Sequence, residues 1–241
     1  MRSINNFYKL LLHEMYKMKS ILCSVFLLLF IYTSLAQSPA IDSSYRPDIY
    51  RSRVEMFKTF PHSKKDIVFL GNSISFWTDW NDLLRIRTAK NRGIPGDLTF
   101  GVLERLDEVI NGKPSKVFIL IGINDVARKI PDSMIINNYR KMVDRLKAGS
   151  PKTKIYLQSV FPTNESSNKL PNHYRNDKVV LLNAALKDIA VEKNVTYIDV
   201  YESLIDTEKK LRQEYTFDGV HLTAKGYYKW AEVLKKGHYI K

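Results

Sequence analysis

Four short stretches of this sequence hold residue types suited to nucleophilic chemistry. Gly71-Asn72-Ser73-Ile74 sets a serine hydroxyl directly after the apolar run Ile67-Val68-Phe69-Leu70, with a glycine that permits a sharp turn. Asn91-Arg92-Gly93-Ile94-Pro95-Gly96-Asp97 supplies backbone whose N–H groups can approach a ligand closely. Gly122-Ile123-Asn124-Asp125 offers a side-chain amide, and Asp218-Gly219-Val220-His221 puts a carboxylate and an imidazole within one turn of each other. A serine hydroxyl is a poor nucleophile at neutral pH until a base within hydrogen-bond reach takes its proton. The spacing of Asp218 and His221 makes them neighbours without a distant element to join them. Singly, each stretch has a plainer reading: a serine after a strand caps a helix, Asn124 caps the helix that follows, Asp218 forms an Asx turn, and a lone histidine sits on the surface.

For these residues to meet, a scaffold must carry them to one place. From Asp66 onward, short β-branched and aromatic runs alternate with segments of helical period. Strands are expected at 66–70, 88–91, 116–121, 154–160 and 196–200, and helices at 48–60, 100–110, 132–147, 176–193 and 224–235. Near-continuous apolar runs such as Val117-Phe118-Ile119-Leu120-Ile121 suit strands covered on both faces. The expected architecture is α/β: three layers, α/β/α, with a flavodoxin-like central sheet of five parallel strands and helices on both faces. In such sheets functional groups gather beyond the carboxyl ends of the strands, and the first three stretches each follow a strand. The segment 163–175, rich in Pro, Asn and Ser, reads as a long exposed loop that borders a site.

The first 36 residues read as a targeting segment. Lys17 and Lys19 precede an apolar run from Ile21 to Leu35, and Ser34-Leu35-Ala36 presents small residues for cleavage after Ala36. At about 15 residues the run is shorter than the roughly 20 needed to span a bilayer, so no stable membrane insertion is expected after cleavage. The product would be exported, periplasmic or secreted. Residues 37–60 form a loose leader and an N-terminal helix, and 61–241 form the main domain. Cys23, the sole cysteine, falls within the segment removed. Disulfides, thiolate catalysis and Cys-based zinc sites are therefore excluded, and no His pair stands at ligand spacing, so neither metal nor cofactor is expected. The chain of 241 residues carries +13 at pH 7. Removing residues 1–36 leaves 34 basic against 24 acidic residues. The cations are scattered, with no run of five, so they read as a solvated surface rather than a nucleic-acid interface.

Taken together, Ser73, Gly96, Asn124 and His221, in that order and in four separated blocks, resemble the SGNH (GDSL-like) hydrolase family over about Ile67 to Trp230. The resemblance implies an acyl-ester hydrolase without cofactor. Ser73 would be the nucleophile, His221 its base and Asp218 the partner that orients and stabilises the imidazole. The oxyanion hole would comprise the backbone N–H groups of Ser73 and Gly96 and the side-chain amide of Asn124; the family match favours Gly96 over Gly93. Many members carry Asp before the serine, where this chain has Asn72; asparagine keeps the size and the acceptor oxygen, so activity is expected to survive. Exported relatives commonly remove acetyl groups from carbohydrates, so a small-molecule or glycan ester is the expected partner. Trp77, Trp80 and Tyr174 are candidates to stack on sugar rings, or are core and surface aromatics. Rival readings are a lysophospholipase or thioesterase with the same triad, and a carbohydrate-binding module that keeps the fold without catalysis.

Overall fold

The computed structural model describes residues 9, 11–24, 42–167 and 169–240. The chain divides into two units, Met1–Asp42 and Ser43–Lys241. In the first, residues 11–24 are helical. Beyond Ser24 the apolar run to Leu35 and the cleavage point at Ala36 lie outside the described residues. Among the described residues no helix is long and apolar enough to cross a membrane.

In the second unit the chain opens with α1 (Tyr50–Thr59) and then alternates strand and helix. The strands are β1 (Ile67–Gly71), β2 (Ala89–Gly93), β3 (Lys116–Leu120), β4 (Lys154–Gln158) and β5 (Thr196–Ile198). All pair in parallel, in the order β2-β1-β3-β4-β5. This is the flavodoxin-like order, and with helices around the sheet it gives the three-layer α/β/α architecture. Between strands run α2 (Ser73–Phe76), α3 (Trp80–Leu84), α4 (Thr99–Glu104), α5 (Leu106–Gly112), α6 (Ile123–Ala127), α7 (Asp132–Gly149), α8 (Asn176–Glu192) and α9 (Tyr201–Leu204); α10 (Ala224–Lys236) closes the domain.

The pleat decides what covers each face of the sheet. Successive strand residues point to opposite sides, so Phe69, Phe118 and Tyr156, which are register partners across β1, β3 and β4, form one aromatic row. Their rings stack at 5.0 and 4.5 Å. Trp80 of α3 lies flat on Phe69 at 3.6 Å, and Trp230 of α10 meets Trp80 edge-on at 4.6 Å. Both indoles are buried and hydrogen-bonded, Trp80 Nε1 to the Ser75 carbonyl and Trp230 Nε1 to Gln158 Oε1. Trp80 is thus part of the core and is unavailable for stacking on a ligand.

Two expected strands end early for a visible reason. β4 does not run on to Val160 as expected: the Ser159 N–H still donates to the Ile198 carbonyl of β5, but Val160 finds its partner outside the ladder, where the Asn183 amide donates to its carbonyl and accepts from its N–H, at 2.9 and 2.7 Å. β5 stops at Ile198 because Ser159 Oγ accepts from the N–H groups of Val200 and Tyr201. The single helix expected at 100–110 is two, α4 and α5, separated at Arg105.

Candidate active site

The carboxyl ends of β1, β2 and β3 deliver three of the four stretches to one cleft of about 540 Å³, lined among others by Ser73, Gly96, Asn124, His173 and His221. α10 is preceded by the fourth stretch and brings His221 from 148 residues away. Ser73 Oγ lies 2.8 Å from His221 Nε2, and His221 Nδ1 lies 2.6 Å from Asp218 Oδ2. A carboxylate accepts only, so Nδ1 carries the proton given to Asp218, and Nε2 is left to accept the Ser73 hydroxyl proton. Asp218 serves two ends at once: Oδ1 accepts from the N–H groups of Val220 and His221, closing an Asx turn, while Oδ2 holds the imidazole. Burial works to raise its carboxyl, but the bonds from His221 and the two backbone N–H groups outweigh that and hold it below its ordinary value. Phe217 stacks on the His221 ring at 5.8 Å while remaining exposed.

Ser73 is the first residue of α2, so its N–H has no acceptor within the helix. Asn72 caps that helix by accepting from the Ile74 N–H at 3.0 Å. The cap needs an acceptor oxygen rather than a charge, which is why asparagine serves here. Residues 94–97 make a turn closed by Asp97 N–H to the Ile94 carbonyl. Pro95 at its second position and Gly96 at its third, with φ +77°, fit a type II turn. That turn leaves the Gly96 N–H outside its own hydrogen bond, and Gly96 lines the cleft. Gly93 has a different task, because a Cβ there would stand 2.5 Å from the Phe76 nitrogen; it lets β2 pass close beneath α2.

Asn124 has its amide fixed from two sides. Nδ2 donates to the Asp97 carbonyl at 3.0 Å, and Oδ1 accepts from His173 Nε2 at 3.1 Å. One Nδ2 hydrogen remains for the cleft. Because Asn124 Oδ1 accepts, His173 Nε2 is a donor and its buried Nδ1 has no partner. Burial, then the neighbouring His221, lower the His173 pKa and favour its neutral form. Sequence reasoning left His173 outside every motif, and the loop that carries it, 163–175, is partly buried and includes two short 3-10 turns. Tyr174 turns its hydroxyl to the Asp218 carbonyl at 3.0 Å, so it buttresses the histidine turn instead of lining the cleft. Of the three candidate stacking residues only Trp77, which is exposed, lines the cleft. The segment expected to be a loose leader carries Tyr45 to the same cleft and sets Pro47 against Gly96.

Beneath the cleft a buried ion pair holds the turn that presents Gly96 and Asn124's partner. Arg105 Nε donates to Asp97 Oδ2 at 2.9 Å and one terminal nitrogen to the Gly71 carbonyl, with both side chains essentially inaccessible. Burial pushes the Asp97 carboxyl up, and Arg105 only partly offsets this. Asp125, also fully buried, accepts from the Thr99 hydroxyl and N–H; burial raises it to about 7 despite those bonds. Arg105→Met keeps the volume but strands Asp97 without its cation. A loss of about 3–5 kcal/mol in urea unfolding is expected; a loss below about 1 kcal/mol would contradict a structural role for the pair. Among the described residues no cluster of three or more His, Cys, Asp or Glu is placed to hold a metal ion.

The family model of GDSL-like lipases/acylhydrolases matches residues 69–229. No curated protein sequence matches the chain. Among solved structures, a Streptococcus pneumonia protein provisionally named as a platelet activating factor is 30% identical, with TM-score 0.72, over 78% of this chain and 90% of that one. A GDSL-like lipase from Bacteroides thetaiotaomicron is 28% identical, with TM-score 0.68, over 78% of this chain and 96% of that one. An acetylxylan esterase of Geobacillus stearothermophilus, 23% identical with TM-score 0.58 over 73% and 94%, shares the fold. The match across more than half its length places this chain in the GDSL-like lipase/acylhydrolase family.

Proposed function

We propose that this protein is an exported serine esterase that removes small acyl groups, acetyl foremost, from carbohydrates. The observation that carries the reading is the continuous chain Ser73 Oγ, His221 Nε2, His221 Nδ1, Asp218 Oδ2, at 2.8 and 2.6 Å, opening into a cleft. Ser73 Oγ attacks the ester carbonyl as His221 takes its proton. The carbonyl oxygen becomes an oxyanion held by the N–H groups of Ser73 and Gly96 and by Asn124 Nδ2. Collapse expels the alcohol, which takes the proton from His221, and leaves an acyl-serine. Water, deprotonated by His221, then attacks the acyl carbon, and the acid departs as Ser73 recovers its proton. Asp218 stabilises the imidazolium at both stages.

Support for a small acyl group comes from the acetylxylan esterase of like fold. Export rests on the basic and apolar pattern of residues 17–36, and N-terminal sequencing of the secreted product should begin at Gln37. Exposed Trp77 and Phe217 beside the site favour a second reading, a lysophospholipase or thioesterase acting on longer chains. Rates on p-nitrophenyl acetate, butyrate and octanoate, with acetylated xylo-oligosaccharides and O-acetyl sialic acids alongside, separate the two. Falling rates with chain length and release of acetate from a glycan are expected; preference for octanoate with no glycan turnover would favour the second reading.

The oxyanion assignment makes its own demand. Asn124→Ala should lower kcat by about 100- to 1,000-fold with a much smaller change in KM, because its hydrogen bond strengthens only as charge develops. His173→Ala, which frees the Asn124 amide to rotate, should lower kcat by roughly tenfold, the worth of one positioning hydrogen bond. His173→Gln, which keeps a donor, should restore most of it. Equal losses in kcat and stability from both His173 variants would assign that residue to folding alone.

A further inference from the structure

Arg128 ends α6, four residues after Asn124, and is exposed on the wall of the same cleft. Its guanidinium lies over the Tyr45 ring, 3.3 Å from the centroid. The Tyr45 hydroxyl in turn reaches the Gly96 turn, standing 3.7 Å from where a Gly96 Cβ would be. One phenol ring therefore separates this cation from the proposed oxyanion hole. Several of the domain's other arginines are answered by a carboxylate, as Arg46 is by Glu104, Arg92 by Glu108 and Arg105 by Asp97. Among the described residues Arg128 makes no ion pair, and no Asp or Glu lines the cleft. The stack fixes the guanidinium plane and occupies one of its faces, leaving the N–H edges to meet a planar or tetrahedral anion in a two-point contact. The excess of 34 basic over 24 acidic residues in 37–241 would draw anions toward the protein as a whole.

We propose that Arg128 determines specificity by binding an anionic oxygen group, carboxylate or phosphate, carried on the alcohol part of the ester. The inference rests on the small-acyl reading above: an acetyl group has nowhere to carry a charge, so the anion must belong to the alcohol. The natural substrate is then an acetylated acid, such as a sugar acid or sugar phosphate, rather than a neutral glycan. Lysine in place of Arg128 would keep the charge but lose the planar fork and the fit against Tyr45.

The test compares kcat/KM for 4-acetoxybenzoate, 4-acetoxyphenyl phosphate and neutral 4-acetoxybenzamide, in the wild type and in Arg128→Gln, Arg128→Lys and Tyr45→Ala. Comparing ratios across variants cancels the intrinsic reactivities of the three esters. In Arg128→Gln the anionic-to-neutral ratio should fall by roughly 10- to 100-fold, the worth of a charge-assisted hydrogen bond, and mainly through KM. Arg128→Lys and Tyr45→Ala should fall between, and the wild-type preference should shrink as salt rises. Whichever anionic ester loses more in Arg128→Gln identifies carboxylate or phosphate as the group. An unchanged ratio overturns the proposal while leaving the esterase reading intact. Calorimetric binding of benzoate and phenyl phosphate to Ser73→Ala reads the subsite without turnover. Weakening of that binding by Arg128→Gln would uphold the subsite even if no acetate ester were cleaved, and binding indifferent to Arg128 would overturn it.

Discussion

Ser73→Ala is expected to lower kcat on acetyl esters by about 10⁴- to 10⁶-fold while changing KM little. The hydroxyl is the atom that bonds to substrate in the proposed mechanism, and among the described residues it is the hydrogen-bond partner of His221 Nε2. The remaining Gly96 and Asn124 donors would still polarise a bound carbonyl, so residual turnover should exceed the rate in buffer by a margin like that left in other serine hydrolases, about 10³-fold. Stability should move by no more than about 1 kcal/mol, since the substitution removes one hydroxyl and its hydrogen bond to His221. Steady-state kinetics beside urea unfolding reads both quantities. A variant that unfolds would leave the catalytic loss uninterpretable, so the unchanged urea midpoint is part of the expected result.

Asp218→Asn is expected to cost about 10⁴-fold at neutral pH with the geometry nearly intact. An amide at Oδ2 would donate to His221 Nδ1, forcing the proton to Nε2, where it blocks acceptance from Ser73. The Asx turn survives, because Oδ1 still accepts from Val220 and His221. The same residue sets a pH-dependent stability. Its folded pKa is lowered, so its contribution is present above the ordinary carboxylate value and is lost as pH falls through the lower folded value. Urea midpoints at pH 7, 5 and 3 should therefore decline less steeply in Asp218→Asn than in the wild type. A kcat unchanged in Asp218→Asn would remove Asp218 from the mechanism.

Much of this was legible in the sequence, and the pattern of what was not has physical causes. The β1, β3 and β4 cores were readable because strands buried on both faces must be apolar at nearly every position. The Ser73 and Asn124 blocks were readable because each follows such a strand, and the Asp218–His221 block because it sits just before a helix of strong amphipathic period; the Gly96 block follows the largely polar β2 and was marked by its own Gly and Pro residues. The four- and five-residue helices α2, α3 and α6 are too short to complete two turns and so leave no period to detect. Trp77 and Trp80 lie on that short ground, and nothing in three residues of spacing tells which indole enters the core. The break at Arg105 was hidden because the apolar spacing of Val102, Leu106 and Val109 continues across it, while the cause, an inward guanidinium meeting Asp97, is a tertiary contact. His173 was missed for the same reason: its partner Asn124 is 49 residues away, and a polar loop carries no mark of which side chain turns inward.

The most direct test of the account is to treat the protein from Gln37 onward with diethyl p-nitrophenyl phosphate and locate the adduct by peptide mass spectrometry. A serine activated as proposed should take one diethylphosphoryl group on the peptide containing Ser73, with loss of p-nitrophenol and of esterase activity in step. Labelling should slow severely in His221→Ala. An intact mass unchanged by the reagent, or an adduct on a residue other than Ser73 with activity lost in parallel, would contradict the assignment of Ser73 as the nucleophile.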